Sequence, residues 1–149
     1  MCRRCCCTAA ARRAARTASS ICRSIFHITV DYYNPNIYPG RKSIICGVQE
    51  QQRLIRELPA KYPIAFREGA YDKERFYEMA RGLEEKKEGG ERCFRCYELR
   101  LREAAETAKS LGMDYFTTTL SISPLKNAEK LNEIGECAGG GIRRGIFEF

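Results

Sequence analysis

The sequence predicts one α/β domain built on a mostly parallel sheet. Segments with strand character alternate with segments of helical periodicity between residues 28 and 137, and this alternation favours parallel strands joined by right-handed crossovers. The chain has 149 residues, which is enough for one domain with a core and too few to expect two. Hydrophobic residues make up 44% and charged residues 30% of the chain, an ordinary balance for a globular domain.

The first half of the chain contains two predicted strands and one predicted helix. Residues 27–33 (HITVDYY) are β-branched and aromatic, and they end at the turn signal Asn34-Pro35-Asn36, a pattern typical of a strand. Residues 49–58 place leucine and isoleucine at helical spacing. Residues 63–66 (PIAF) predict a short strand.

The second half predicts three helices and one strand. Asp72 is a candidate N-cap for the first of these helices. Cys93–Leu111 is rich in helix-forming residues and is closed by Gly112. Asp114–Leu120, with two aromatic residues and three threonines, predicts a strand, and Pro124 opens the last helix.

The composition indicates in which cellular compartment the protein acts and whether the domain binds nucleic acid through a basic surface. No apolar run approaches the roughly 20 residues of a membrane span, and the N-terminus lacks the apolar stretch of a secretory signal. Nine cysteines then indicate metal or redox chemistry in a reducing compartment, and we expect a cytoplasmic protein. The formal charge is +7, but six arginines lie in residues 1–27 without one acidic residue. The remaining body of the domain is therefore not expected to be a basic nucleic-acid patch.

The sequence ERCFRCY, with Cys93 and Cys96 at the start of a predicted helix, is the strongest chemical signal. Cysteines three residues apart share one helix face, and the free N–H groups of a helix start favour thiolates. This spacing suits zinc, an iron–sulfur cluster or a redox dithiol, and each metal needs about four ligands. The motif is thus half of a metal site, a dithiol, or two half-buried cysteines without a function.

Cys2 and Cys5–Cys7 are candidates for the missing ligands. Adjacent side chains of an extended segment diverge, so three neighbouring cysteines cannot easily bind one ion, although two of the four could. The alternative is a disordered terminus rich in cysteine and arginine. Both interpretations stay open.

Polar residues at the carboxyl ends of two predicted strands are candidates for substrate binding, because ligands gather at that edge of a parallel sheet. The stretch 32–36 offers aromatic rings and amides for stacking on and reading a base, and Tyr33 and Asn34 are the candidates within it. Thr118 and Ser121 lie at the end of the last strand. The same residue types are also ordinary at strand ends, and no residue is assigned a catalytic role.

Three stretches together resemble the QueH-type epoxyqueuosine reductases, which reduce an epoxide on the queuosine base of tRNA without cobalamin. They are ITVDYYNPNIYP (28–39), EGGERCFRCYELRL (88–101) and DYFTTTLSISPLKNAEKLNEIGE (114–136), and they occur in the family's order. The resemblance implies a Rossmann-like α/β domain with a 4Fe-4S cluster, a tRNA substrate and an unidentified electron donor.

The resemblance also implies a ligand set that this chain matches only in part. In the family, an N-terminal cysteine pair and the C-x-x-C pair hold the cluster, and only Cys93 and Cys96 transfer cleanly. Two closely spaced cysteines near the family's C-terminus are thought to act as a redox pair, and this chain reaches Phe149 without them. We therefore expect a domain that is incomplete at both ends.

The N-terminal segment is explained by a shifted reading frame. Suitable codons for Cys5–Ala15, read from one base earlier, give LLLHCCCAPCS, which is the family's N-terminal motif. Residues 41–46 and 139–147 allow similar re-readings. We hypothesise that small insertions or deletions scrambled residues 1–27, 40–47 and 138–149, so that the cluster-ligand codons are now read as Ala9–Ala11.

The sequence as a whole predicts an oxidoreductase of queuosine biosynthesis whose domain spans residues 28–137. Residues 1–27 are expected to be disordered or mistranslated, and residues 138–149 to form an anomalous tail. We expect little or no reductase activity from this polypeptide. A small zinc-binding module using Cys93 and Cys96, and an inactive fragment without metal, are the alternatives.

Overall fold

In the part of the chain that the structure describes, the sheet is formed by four strands, β1 (Arg3–Ala9), β2 (Phe26–Tyr32), β3 (Ala65–Glu68) and β4 (Tyr115–Thr118). They belong to a computed structural model that describes residues 3–9, 24–36, 41–142 and 145–146. All the strand pairs are parallel, and the strand order is β3-β2-β1-β4. This confirms the predicted α/β class with a parallel sheet. The order is that of the first four strands of a doubly wound sheet, whose ligand crevice opens where the order reverses, between β1 and β4.

Helices cover both faces of the sheet and make a three-layer domain. They are α1 (Arg41–Glu57), α2 (Lys73–Ala80), α3 (Glu91–Ser110) and α4 (Ala128–Ala138). On one face Leu54 and Ile55 of α1 pack against Ile28 and Val30 of β2. On the other face, α3 and α4 enclose a second apolar cluster that contains Cys6, Tyr97, Leu101, Ala104, Ala105, Ala108, Phe116 and Leu131. Burial of both faces is what holds a parallel sheet in place.

Residues 3–9 differ from the expectation of disorder for the segment 1–27. They form β1, which lies between β2 and β4 and pairs with both. Cys5 and Cys6 are both fully buried, each in an apolar cluster on one face of the sheet. The sheet therefore begins before residue 28. Residues 10–23 of the anomalous segment lie outside the described residues, and the frameshift itself stays a prediction.

Local signals placed most helix ends correctly. The Asp72 side chain accepts a hydrogen bond from the Arg75 backbone N–H at 3.1 Å and caps α2 as predicted. Gly112 follows α3 with φ of +61°, the left-handed conformation that favours glycine at this position. Helix α1 begins at Arg41, eight residues before the predicted start, and β3 begins two residues later than predicted.

The predicted start of the last helix at Pro124 is wrong. Thr119–Ile122 form a 3₁₀ helix after β4, and α4 begins only at Ala128. The Asn127 side chain accepts a hydrogen bond from the Lys130 backbone N–H at 2.9 Å, so Asn127 is the N-cap. An asparagine at this position satisfies an N–H group that the first helical turn leaves without a partner.

The far end of the chain returns to the sheet. Ile146 makes a parallel bridge with Phe116 of β4, and the Phe116 N–H donates to the Gly145 carbonyl at 3.2 Å. Part of the segment that we expected to be an anomalous tail therefore contacts the core. A search of the described helices found none with the length and apolar character that crossing a membrane requires.

Candidate functional site

A cavity opens at the carboxyl edge of the sheet, beside the start of α3. Its volume is about 360 Å³, a size that suits a small ligand or a cofactor. Its walls come from the turn after β2, the loop before α3, one face of α3, and the segment between β4 and α4. The lining residues are Asn36, Phe76, Glu88, Arg92, Cys93, Cys96, Tyr97, Arg100, Leu120 and Lys126.

Cys93 and Cys96 lie on the cavity face of α3 and are both half-buried. They occupy the first two turns of the helix, which begins at Glu91. The Cys93 sulfur accepts a hydrogen bond from the Gly89 backbone N–H at 3.3 Å. The N–H group and the positive end of the helix dipole both place partial positive charge beside this sulfur. The structure thus brings together the two cysteines that the sequence singled out.

Arg100 connects this face of α3 to the turn after β2. Arg100 is 4% exposed, and its guanidinium donates to the Tyr33 carbonyl at 3.3 Å. It also donates to the side-chain oxygens of Asn34 and Asn36. The three acceptors are neutral, and within the described ranges Arg100 makes no ion pair. One buried cation therefore fixes the turn beside the two cysteines.

Basic side chains outnumber acidic ones around the cavity. Among the described residues that line it, Arg92, Arg100 and Lys126 stand beside a single carboxylate, Glu88. Lys126 and Glu88 form an ion pair of 3.3 Å between Nζ and Oε1, which offsets one of the positive charges. The surplus positive charge favours a ligand that carries negative charge.

The residues predicted to contact a substrate lie around the same sheet edge, outside the cavity lining. Tyr33 is 1% exposed and its buried hydroxyl makes no hydrogen bond to a described residue. Asn34 is held by Arg100. The Thr118 hydroxyl accepts from the Leu120 N–H at 3.3 Å, and the Ser121 hydroxyl donates to the Thr118 carbonyl at 3.0 Å. As substrate contacts all four stay predictions.

Among the described residues, the buried cysteines of β1 do not form a metal-binding group with Cys93 and Cys96, although Cys93 packs against the apolar cluster that contains Cys6. Cys5 packs in the cluster beneath α1 and Cys6 in the cluster beneath α3, so their side chains lie on opposite faces of the sheet. Burial, together with the nearby Asp31 carboxylate, raises the pKa of the Cys6 thiol to about 12. Across the described ranges no three histidine, cysteine or acidic side chains are grouped to hold a metal ion. The side chain of Cys7 is not among those that the structure describes.

Arg100 and Asn36 were not among the predicted site residues. The signal for Arg100 was present, since residues 93, 96 and 100 are three and four positions apart and so share one face of a helix. Asn36 belongs to the stretch 32–36 that was considered for reading a base, but it was not singled out there. Its contact with Arg100 spans 64 residues of sequence, and no local pattern reports such a contact.

Comparison with known proteins gives the same family as the motifs. The family model "Epoxyqueuosine reductase QueH" matches residues 1–143. Among curated proteins, the chain is 38% identical over 114 residues to the epoxyqueuosine reductase QueH of Streptococcus pyogenes, a match that covers 72% of this chain and 43% of that protein. It is 35% identical over 112 residues to the Staphylococcus epidermidis protein of the same name, covering 72% and 47% of the two chains.

A third relative agrees. The Haemophilus influenzae epoxyqueuosine reductase QueH is 34% identical over 119 residues, covering 80% of this chain and 46% of that protein. The chain thus spans a little under half the length of these relatives. The family match includes the segments 1–27 and 40–47 that the sequence marked as anomalous. From the family model and these identities, the chain belongs to the epoxyqueuosine reductase QueH family.

Proposed function

We propose that this chain derives from an enzyme that reduces epoxyqueuosine to queuosine in tRNA. The observation that carries the proposal is the pair of half-buried sulfurs, Cys93 and Cys96, in one cavity at the carboxyl edge of a parallel sheet. The relatives that share this part of the sequence are named epoxyqueuosine reductases. Loss of the epoxide oxygen takes two electrons and two protons and releases water, so the reaction needs a redox group and a reductant.

A 4Fe-4S cluster is the group that we propose for this cavity. Cys93 and Cys96 would supply two of about four thiolate ligands. The hydrogen bond from Gly89 to the Cys93 sulfur and the surplus of basic residues fit a negatively charged cluster. When bound, the cluster would pass electrons from a donor, still to be identified, toward the substrate. The enzyme would act in the cytoplasm on tRNA.

The ligands that a cluster would need besides Cys93 and Cys96 are not supplied by the cysteines of β1 whose side chains are described. Cys5 and Cys6 are committed to the apolar core, so neither accompanies Cys93 and Cys96 as the structure stands. The shifted frame instead assigns the ligands to positions 9–11. Position 9 is the last residue of β1, in register with Tyr32 at the edge where the cavity opens. We propose that the chain as written holds a cluster poorly and has little or no activity.

Anaerobic reconstitution with iron and sulfide tests the proposal. Iron, sulfide and zinc are then measured per chain, and conversion of epoxyqueuosine in tRNA is followed by mass spectrometry of the nucleosides. Iron with sulfide that depends on Cys93 and Cys96 supports a cluster, and Cys46→Ser is the matched control because Cys46 is exposed and outside the cavity. One zinc per chain would favour the zinc module, and no metal in any preparation would favour the inactive fragment.

A further inference from the structure

The orientation of two asparagine amides is set by Arg100. A guanidinium can only donate hydrogen bonds, so the atom that Asn34 and Asn36 each turn toward it must be the carbonyl oxygen, as observed. The NH2 group of each amide is then directed away from Arg100. The oxygen and the nitrogen of an asparagine amide can often be exchanged without changing the contacts. A guanidinium partner removes this ambiguity, because it accepts no hydrogen bond.

Of the two asparagines, only Asn36 lines the cavity of Cys93 and Cys96. Pro35, between them, is fully buried and anchors the turn to the core, whereas Asn36 is exposed. The turn is thus fixed from below by Pro35 and from the side by Arg100. Asn36 offers a neutral N–H donor of set direction at the mouth of the cavity.

We propose that Asn36 donates a hydrogen bond to an oxygen of the substrate in this cavity, and that Arg100 is a positioning residue that aims the donor. The inference rests on the proposed function and names a specificity residue for it. Epoxide and hydroxyl oxygens are neutral acceptors, which a neutral amide N–H matches at low desolvation cost. A site built around such a donor rejects a ligand that lacks the acceptor.

The substitution Asn36→Asp separates this role from a structural one. Aspartate keeps the oxygen that Arg100 contacts and turns the contact into an ion pair, so the melting temperature should stay the same or rise. The same substitution removes both N–H donors. If Asn36 were only a partner for Arg100, the preference for a ligand that carries the acceptor oxygen would not change.

Fluorescence anisotropy with two RNA probes measures the effect in the chain as it exists, without requiring turnover. The probes are a tRNA carrying epoxyqueuosine and the same tRNA without the modification. The wild-type chain should prefer the modified tRNA, and Asn36→Asp should reduce this preference by roughly 3- to 10-fold, the range of one hydrogen bond. Arg100→Lys, which keeps the charge and loses the planar fork, should reduce it as well.

Asn127→Asp is the control for the added negative charge. Asn127 is exposed and its side-chain oxygen caps α4, a role that aspartate fills equally well. This control should weaken binding of both RNAs alike and leave the preference unchanged. A preference that survives Asn36→Asp, or that is lost with Asn34→Asp instead, overturns the assignment of Asn36. If the wild-type chain shows no preference at all, the proposed function fails and the inference falls with it.

Discussion

Replacing Arg100 with methionine should destabilise the domain by about 2–4 kcal/mol. A hydrogen bond from a charged donor contributes about 1.5–3 kcal/mol when its acceptor is left without water. The Tyr33 carbonyl belongs to a residue that is 1% exposed, so that bond is lost in full. Asn34 is half-buried and Asn36 is exposed, and their oxygens can bind water instead. Methionine fills most of the volume, which keeps the cavity contribution small.

Urea unfolding followed by circular dichroism measures the loss. With a slope of about 2 kcal/mol per molar urea, the middle of the usual range, the unfolding midpoint should fall by roughly 1–2 M. Arg102→Met is the matched control on the same helix. The Arg102 side chain is 60% exposed and pairs with Glu98 at 2.8 Å, a surface pair worth about 0.3–0.5 kcal/mol. If the two variants lose the same stability, within about 0.5 kcal/mol, Arg100 does not hold the turn as described.

Two further predictions concern buried ionisable groups. Cys6 is fully buried and the pKa of its thiol is raised to about 12. Site-resolved alkylation of the metal-free protein at pH 8 should therefore modify Cys6 far more slowly than the exposed Cys137. Equal rates would show that β1 is not in the sheet. Burial also raises the pKa of Asp31 above its ordinary 3.8, with Arg67 at 2.9 Å acting in the opposite direction. Its contribution to stability is therefore full below about pH 3.8 and falls as pH rises through the raised pKa, so the stability of wild type relative to Asp31→Asn should decrease from pH 4 to pH 7. A difference that does not vary with pH would contradict the raised pKa.

Local chemistry made part of the fold predictable. The turn after β2, the Asp72 cap of α2 and Gly112 after α3 each involve residues close in sequence, and each was placed to within a residue or two. The early start of α1 also had a local signal. Ile44 and Val48 are four apart and both pack against Tyr32, but the segment 40–47 was set aside because it departs from the family pattern.

The features that were missed depend on contacts between distant parts of the chain. The central position of β1 follows from pairing with β2 and β4, and β4 lies more than a hundred residues later. A stretch of cysteine and arginine does not look like a core strand. The core position of this strand is evident only from the apolar clusters in which the Cys5 and Cys6 side chains are buried. The Arg100 contact with the turn after β2 has the same origin, since side-chain orientation across 64 residues is set by the packing of α3 on the sheet.

The position of β1 bears directly on the reading-frame hypothesis. The shifted frame replaces Cys5–Cys7 by leucines. The structure places Cys5 and Cys6 in buried apolar clusters, an environment that is common for leucine side chains. The same frame puts cysteines at positions 9–11. Position 9 ends β1 beside β4, at the point of the sheet where the strand order reverses. Ligands from this end of β1 would face the same edge as the cavity.

A chimeric chain tests this correspondence. Replacing residues 5–15 by LLLHCCCAPCS should raise the iron and sulfide taken up on anaerobic reconstitution toward about four of each per chain. The control carries LLLHSSSAPSS, which has the same apolar strand and no thiols, and it should fold as well while binding no more metal than the original. Gain in both chimeras would mean that better packing of β1, and not the restored sulfurs, retains the metal. Gain in neither would separate this end of β1 from the cluster and leave Cys93 and Cys96 to find their other ligands elsewhere.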